Sequence, residues 1–232
     1  MAEKRSVTLA DKTADEIIHY IIRNQMEPGD RLPTETEFLE MIPVSRGTLR
    51  EAFKVLVARN ILEIRQGAGT FVSRKKGVPD DPLGLTFIYD NNRLALDMLD
   101  IRLMFEPRVA ELAAANADAE QLRRITEQAQ EVERCIRENR SYVHPDCEFH
   151  RRIAEASGNI IIGELTNILN SSVAKNVELT MNVQCESNTV FYHQKILKAI
   201  RERNISNARY FMTTHLSLLR EFMLDKMERE KP

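Results

Sequence analysis

Residues 31–72 read RLPTETEFLEMIPVSRGTLREAFKVLVARNILEIRQGAGTFV, and this stretch decides how the chain around it must fold. Pro33 suits the first turn of a helix, where its missing N–H has no partner to lose. Thr34 and Glu37 have the spacing of a reciprocal capping box. Phe38, Leu39 and Met41 give that short helix an apolar side, and Pro43 ends it. Ser45 then caps a second helix that carries Leu49, Phe53, Leu56 and Val57 on one face. Residues 61–65 and 70–73 alternate or run apolar like strands, and the glycines of Gln66-Gly67-Ala68-Gly69 make a tight hairpin between them.

Arg46, Gly47, Thr48 and Arg50 fall in the first turns of the second helix, away from its apolar face. A helix-turn-helix uses those positions of its second helix to reach base edges in the major groove. The helix N-terminus and nearby hydroxyls suit phosphate oxygens, and an arginine can bond O6 and N7 of guanine together. A glycine-rich tip bearing Gln66 can approach a sugar-phosphate backbone. On pattern alone an ordinary small helical domain with a β-hairpin explains the same residues equally well.

Outward from this stretch, residues 12–25 place Ala14, Ile17, Ile18, Ile21 and Ile22 at three- and four-residue steps, which predicts a helix packed behind the second one. Residues 74–82, SRKKGVPDDP with its preceding serine, mix charge with Gly77, Pro79 and Pro82 and read as a linker. Beyond it the periodicity is helical almost to the end. Helices are expected over 83–89, 93–116 with Pro107 inside, 118–139 capped by Asp118, about 145–157 begun by Pro145, 160–182, 189–203, and from Ser206 to about Met227. Six or seven helices without a strand pattern predict an all-α bundle. The division is therefore 1–73, 74–82 and 83–232.

The 232 residues are 43% apolar and 29% charged, ordinary for a globular protein of two modest domains, and the formal net charge is only −2. Basic residues slightly outnumber acidic ones before residue 77 and the reverse holds after it, so any positive face must come from local placement. Three cysteines, Cys135, Cys147 and Cys185, are odd in number and far apart, which argues against a disulfide framework, and the lack of a CxxC excludes a zinc ribbon. No signal-like start and no apolar run of membrane-spanning length is present. A reduced, cytoplasmic chain is the expectation.

In the helical half, Asp146 and His150 stand four apart and share a helix side. His193 and His215 each sit among apolar neighbours in the middle of a late helix. Three imidazoles and a carboxylate on three inward faces suit Zn²⁺, Ni²⁺, Fe²⁺ or Mn²⁺ if they converge. Taken singly, each is an ordinary hydrogen-bonded core histidine or a solvated pair, and spacing leaves both readings open. A metal with open positions is also a catalytic arrangement, yet nothing in the sequence supplies a general base or a closing lid.

Several short motifs occur in order: Pro28-Gly29-Asp30-Arg31-Leu32-Pro33-Thr34-Glu35, Val44-Ser45-Arg46, Leu49-Arg50-Glu51-Ala52 and Gly67-Ala68-Gly69-Thr70-Phe71-Val72. They resemble the winged helix-turn-helix of the GntR family of bacterial transcription regulators over residues 10–73. By position the resemblance implies DNA contacts from Ser45, Arg46, Gly47, Thr48 and Arg50, with Gln66 and Gly67 on the wing. Thr36 stands where the family often has arginine, and Gly47 where it often has threonine. Arg102-Leu103-x-x-Glu106-Pro107, Asp146-x-x-Phe149-His150, Ala156-Ser157-Gly158-Asn159, His193-Gln194-x-Ile196-Leu197 and His215-Leu216 look like the FCD effector-binding domain of the FadR subfamily over residues 83–227. That resemblance implies a divalent metal held by Asp146, His150, His193 and His215. It also implies a small carboxylate effector beside the metal, with Arg102 facing the same cavity unless it is spent on a salt bridge to Glu106. Tyr192 stands where many relatives have glutamate. Asn167, Asn170, Ser171 and Ser172 are further pocket candidates. The implied function is a ligand-responsive repressor, no enzyme, binding palindromic operator DNA as a homodimer. The alternative is a regulator for which the metal itself is the signal.

Overall fold

The computed structural model describes residues 7–85, 87–173 and 183–229, with the side chains of 170–173 and 183–185 excepted. The chain divides into two compact units, Met1–Pro82 and Leu83–Pro232.

The first unit contains α1 (Leu9–Arg23), α2 (Glu35–Met41), α3 (Arg46–Ala58), β1 (Leu62–Arg65) and β2 (Gly69–Val72). Helix α1 begins earlier than its apolar period suggests. Thr8 and Asp11 form a capping box that satisfies N–H groups ahead of Lys12. The expected box of Thr34 and Glu37 starts α2, and Ser45 accepts from the Thr48 N–H to start α3. The strands pair antiparallel in the register Leu62 with Val72 and Arg65 with Gly69, and Arg31 bridges to Phe71 as a further backbone contact. Ile17, Phe38, Leu49, Leu56 and Leu62 meet in one core, with Phe38 edge-on to both Tyr20 and Phe53. Residues after the wing fold back on this unit: Asn60 donates from Nδ2 to the Val78 carbonyl at 2.9 Å, and the Gly77 N–H reaches the Asn60 carbonyl at 2.9 Å.

The second unit is built from α4 (Asn91–Asn116), α5 (Ala119–Arg137), α6 (Val143–Glu155), α7 (Ile160–Val173), α8 (Val183–Arg201) and α9 (Ile205–Arg229). The helix expected over 83–89 is not formed among its described residues. Gly84 takes a left-handed φ of +67°, and Asp90 accepts from the Arg93 N–H, so the helical run starts at Asn91. Helix α4 runs through Pro107 without interruption. Asp118 caps α5 with Gln121 as its reciprocal partner. Asn204, not Ser206, caps α9, its Oδ1 accepting from the Asn207 N–H at 3.0 Å. The last part of the helix expected over 160–182, and Cys185, lie outside the described residues and side chains.

Small residues let α4 approach its neighbours. Ala110, Ala113, Ala114 and Ala117 are fully buried in a core shared with Ile125, Val132, Phe149, Ile196, Ile200 and Leu216. Arg203 ties the end of α8 to the end of α4, donating to the carbonyls of Ala114 and Ala117 at 3.2 and 2.5 Å. Arg220 on α9 donates to Asp100 on α4 at 2.5 Å. These contacts fix the rotation of α4, α6, α8 and α9, and that rotation places the polar side chains described next.

Candidate functional site

Two groups of residues stand out, one in each unit. In the first, Ser45, Arg46, Gly47 and Thr48 sit together at the start of α3, and Arg50 follows one turn later. Ser45 Oγ lies 2.9 Å from Thr48 Oγ1 as well as accepting from its N–H. Arg46 is exposed and makes no ion pair among the described residues. Arg50 is also exposed, but its Nε donates to Glu35 on α2 at 3.0 Å. Gly47 has open space around it: an added Cβ would meet nothing closer than Ser45 Oγ at 3.7 Å. Gln66 and Gly67 lie at the turn between β1 and β2, with Gly67 in a left-handed φ of +73°. Sequence reasoning overlooked Arg31. Its guanidinium packs over Gly69, close enough that a Cβ there would stand 3.1 Å from Nε, so it adds positive charge beside the wing.

In the second unit the four singled-out ligands converge. Asp146 and His150 on α6, His193 on α8 and His215 on α9 each offer one ligand atom, and these atoms all lie within 4.8 Å of one another. His193 Nε2 stands 3.3 Å from Asp146 Oδ1, and His150 Nε2 stands 3.8 Å from Asp146 Oδ2. The rings of His150 and His215 are nearly parallel with centroids 5.5 Å apart, and His193 is stacked on Phe149 at 4.0 Å. All three histidines are buried, and Asp146 keeps 14% of its side chain exposed.

Nε2 of His150, both ring nitrogens of His193 and Nε2 of His215 are buried without a hydrogen-bond partner in the protein. Buried polar atoms of this kind are few in folded chains, since each lost partner costs about 1–3 kcal/mol. Several of them converging with a carboxylate is the donor set of a divalent metal. Ligands bound at about 2.0–2.2 Å stand within roughly 4.4 Å of each other, so these atoms, spread over as much as 4.8 Å, need to close by only a few tenths of an ångström around an ion.

The electrostatics agree with that chemistry. Burial, reinforced by the neighbouring histidines and by Arg102, holds His193 and His215 well below the usual imidazole range, so both are neutral lone-pair donors. Burial raises Asp146 against the lowering pull of His150 and Arg102. Burial likewise pushes the adjacent Cys147 thiol up to about 12, which keeps it protonated and inert.

Arg102 and Glu106, one turn apart on α4, are both buried and are joined by Nε to Oε1 at 2.6 Å. The salt bridge weighed against a pocket role for Arg102 is therefore formed. Burial alone would disfavour both charges. Arg102 and then His150 overcome it for Glu106, which lies well below the ordinary carboxylate range, and Glu106 and then Asp146 overcome it for Arg102, which is raised. The other oxygen of Glu106 stands 2.7 Å from His150 Nδ1. That is the distance of a charge-assisted hydrogen bond, though the alignment of one is not reached. Nδ1 bound to a carboxylate leaves Nε2 to face the cluster, the arrangement that orients metal-binding histidines. Sequence reasoning saw Glu106 only as a partner for Arg102. Its nearness to His150 depends on how α4 and α6 are rotated, for which the sequence carries no signal.

Of the remaining pocket candidates, Asn167 donates to Glu164 at 3.4 Å, and the side chains of Asn170, Ser171 and Ser172 lie outside those described. Asn159 caps α7 through Oδ1. No helix among the described residues is long and apolar enough to cross a membrane.

Comparison with known proteins gives these two sites their context. The family described as "Bacterial regulatory proteins, gntR family" matches residues 9–72, and the FCD domain family matches residues 97–218. The chain is 28% identical over 221 residues to the HTH-type transcriptional regulator YcbG of Bacillus subtilis, covering 95% of this chain and 92% of that one. It is 29% identical over 222 residues to the HTH-type transcriptional repressor NanR of Cronobacter sakazakii, covering 90% and 83%. A solved GntR structure from Streptococcus agalactiae superposes with a TM-score of 0.81 at 37% identity, covering 91% of this chain and 99% of that one. The chain thus belongs to the GntR family of bacterial transcription regulators and carries an FCD effector-binding domain after its winged helix-turn-helix.

Proposed function

We propose that this regulator is a repressor that binds a palindromic operator as a homodimer, and that a small carboxylate held beside a divalent metal changes its affinity for DNA. The observation that carries this reading is the convergence of Asp146, His150, His193 and His215 from three helices, with buried ring nitrogens that have no protein partner. The naming of a relative as a repressor supports the direction of control.

The roles divide by residue. Ser45, Arg46, Thr48 and Arg50 reach the major groove and its flanking phosphates from the start of α3, while Gln66 and Gly67 meet the backbone from the wing. Arg50 exchanges Glu35 for DNA, or keeps it as a brace while its terminal nitrogens reach a base edge. One α3 reads only a few base pairs, so two copies on half-sites one helical turn apart are needed for specificity. In the second unit Asp146 and the three histidines hold the ion, Glu106 sets the tautomer of His150, and Arg102 keeps Glu106 ionised. Zn²⁺, Ni²⁺, Fe²⁺ and Mn²⁺ all suit this donor set, and such an ion supplies a positive centre to which a carboxylate oxygen binds. The terminal nitrogens of Arg102 are the proposed second contact for that carboxylate. Ligand binding changes operator affinity to the extent that it favours one placement of the DNA-reading units over another.

The test is elemental analysis of the purified chain beside an Asp146→Ala/His193→Ala variant, followed by gel retardation of the DNA upstream of its own gene at low salt. About one metal per chain in the parent, none in the variant, and retardation reversed by a small organic acid are expected. Retardation that responds to metal alone would make the ion the signal, and no retardation under any metal condition would sink the proposal.

A further inference from the structure

Side chains alternate along a strand, and residues directly opposed share a face of the sheet. Glu63 pairs with Phe71 and Arg65 with Gly69, and Arg31 bridges to Phe71 from the far side of β2. These five residues therefore share the face of the wing opposite to the buried Leu62 and Val72. Two arginines cross that face diagonally. Arg65 lies over the Phe71 ring at 4.2 Å and is paired with Glu63. Arg31 lies over Gly69 and fills the space that a side chain there would take: an added Cβ would stand 3.1 Å from its Nε and 3.4 Å from its Nη2. Gly69 has a φ of +114°, so both its conformation and this contact call for glycine. Arg31 is exposed and makes no ion pair among the described residues. Glu37 feels its charge, but that carboxyl is lowered first by hydrogen bonds from Thr34 and last by Arg31, and it is committed to the capping box of α2. The root of the Arg31 side chain is fixed on both sides. The Val72 N–H donates to the Asp30 carbonyl at 2.9 Å, and the Leu32 N–H donates to the Thr70 carbonyl at 2.8 Å.

We propose that Arg31 is a further DNA contact, its guanidinium gripping a phosphate of the operator backbone beside the wing from the seat that Gly69 leaves open. The proposal rests on the wing contacts of Gln66 and Gly67 given above and adds a residue from outside the hairpin. A guanidinium with a fixed root and no acid partner is ready for an external anion, and its planar fork matches phosphate oxygens. Holding the root in place also lowers the cost of ordering the side chain on binding. Gly69 is two residues from Gly67, so at most about 7 Å of backbone separates the seat from the wing tip. A backbone strand that meets the tip therefore passes within reach of Arg31. Arg65 is as close to the tip in sequence, but its guanidinium is taken by Glu63.

The experiment is a fluorescence anisotropy titration of the full-length parent, Arg31→Gln, Arg31→Lys and Arg65→Gln across a range of salt concentrations. Two labelled duplexes are used, one from the DNA upstream of the chain's own gene and a scrambled one of equal length. Arg31→Gln is expected to bind both about three- to tenfold more weakly at low salt. Its plot of log affinity against log salt should be shallower by about 0.9, the value of one lost phosphate contact. Arg31→Lys should keep the parent's slope, and Arg65→Gln should stay within about twofold of the parent. The strands are joined through the main chain of residues 30 and 32, so Arg31→Gln should keep the parent's denaturation midpoint. A lowered midpoint in both Arg31 variants would assign the side chain to the fold and overturn the contact. A loss confined to the upstream duplex with an unchanged slope would make Arg31 a reader of bases and overturn the phosphate. An equal loss in Arg65→Gln would reduce the effect to the general charge of the wing and overturn the seat. A parent that binds while Arg31→Gln matches it in affinity and slope would overturn this contact alone. A parent that binds neither duplex at any salt would overturn operator binding and the contact together.

Discussion

Glu106 touches Arg102 with one oxygen and approaches His150 with the other, so it couples the charge balance of α4 to the ring orientation of a proposed metal ligand. Replacing it by glutamine keeps the shape and removes the charge. Partners of this kind are worth about 10–100-fold in metal affinity, and Glu106→Gln should weaken binding by that factor in a chelator competition assay. An unchanged affinity would mean that His150 is oriented by packing against Phe149 alone. Gly47 supports a prediction of opposite sign. It sits in the first turn of α3, no contact tighter than ordinary van der Waals awaits a Cβ, and its φ is not left-handed. Gly47→Ala should therefore stabilise the first unit by about 0.5–1 kcal/mol, read as a higher denaturation midpoint. The two residues also mark what a sequence can disclose. The i,i+4 pair Asp146 and His150 was legible because one helix fixes both members. Glu106 meeting His150 across 44 positions was not, because it depends on the packing of two helices.

At the level of elements, the start of α3 has two tasks that one substitution separates. Ser45 caps the helix by accepting from the Thr48 N–H, and in the proposed function it also faces a phosphate. Aspartate caps as well as serine and suits the positive end of the helix dipole. Ser45→Asp should hold stability within about 0.5 kcal/mol of the parent while weakening DNA binding about tenfold or more, since it sets a negative charge against phosphate. Ser45→Ala should cost about 1 kcal/mol of stability. Equal DNA affinity for the aspartate variant in a fluorescence anisotropy titration would remove Ser45 from the interface. Elements whose ends carry a Thr-x-x-Glu or Asp-x-x-Gln signature were found at the right residue, as at Thr34 and Asp118. Errors fell where the signal was ambiguous. The apolar run 83–89 gave way because Asp90 offers a better start and Gly84 breaks the run. Ser206 lost to Asn204, whose amide oxygen reaches the Asn207 N–H.

Across the whole molecule, a net charge of −2 provides no bulk attraction to nucleic acid, so in the proposed function affinity for DNA comes from the few residues at the start of α3 and on the wing. Control, in the same proposal, comes from the other unit, whose proposed ion binds groups drawn from α6, α8 and α9. These helices are brought together only when the bundle is folded, and the unfolded chain offers the ion no comparable site. Binding to the native state alone stabilises it by RT ln(1 + [M]/Kd), about 2.7 kcal/mol when free metal is 100 times Kd. The first unit has its own core and contains none of the four ligands. Calorimetric scans of the full chain should accordingly show one transition that rises on adding Zn²⁺ or Ni²⁺ after chelation, and a second that stays in place. The Asp146→Ala/His193→Ala variant should lose that rise. If both transitions moved together in the parent, the two units would unfold as one cooperative body, and the ion would act on the DNA-reading residues through shared stability as well as through placement.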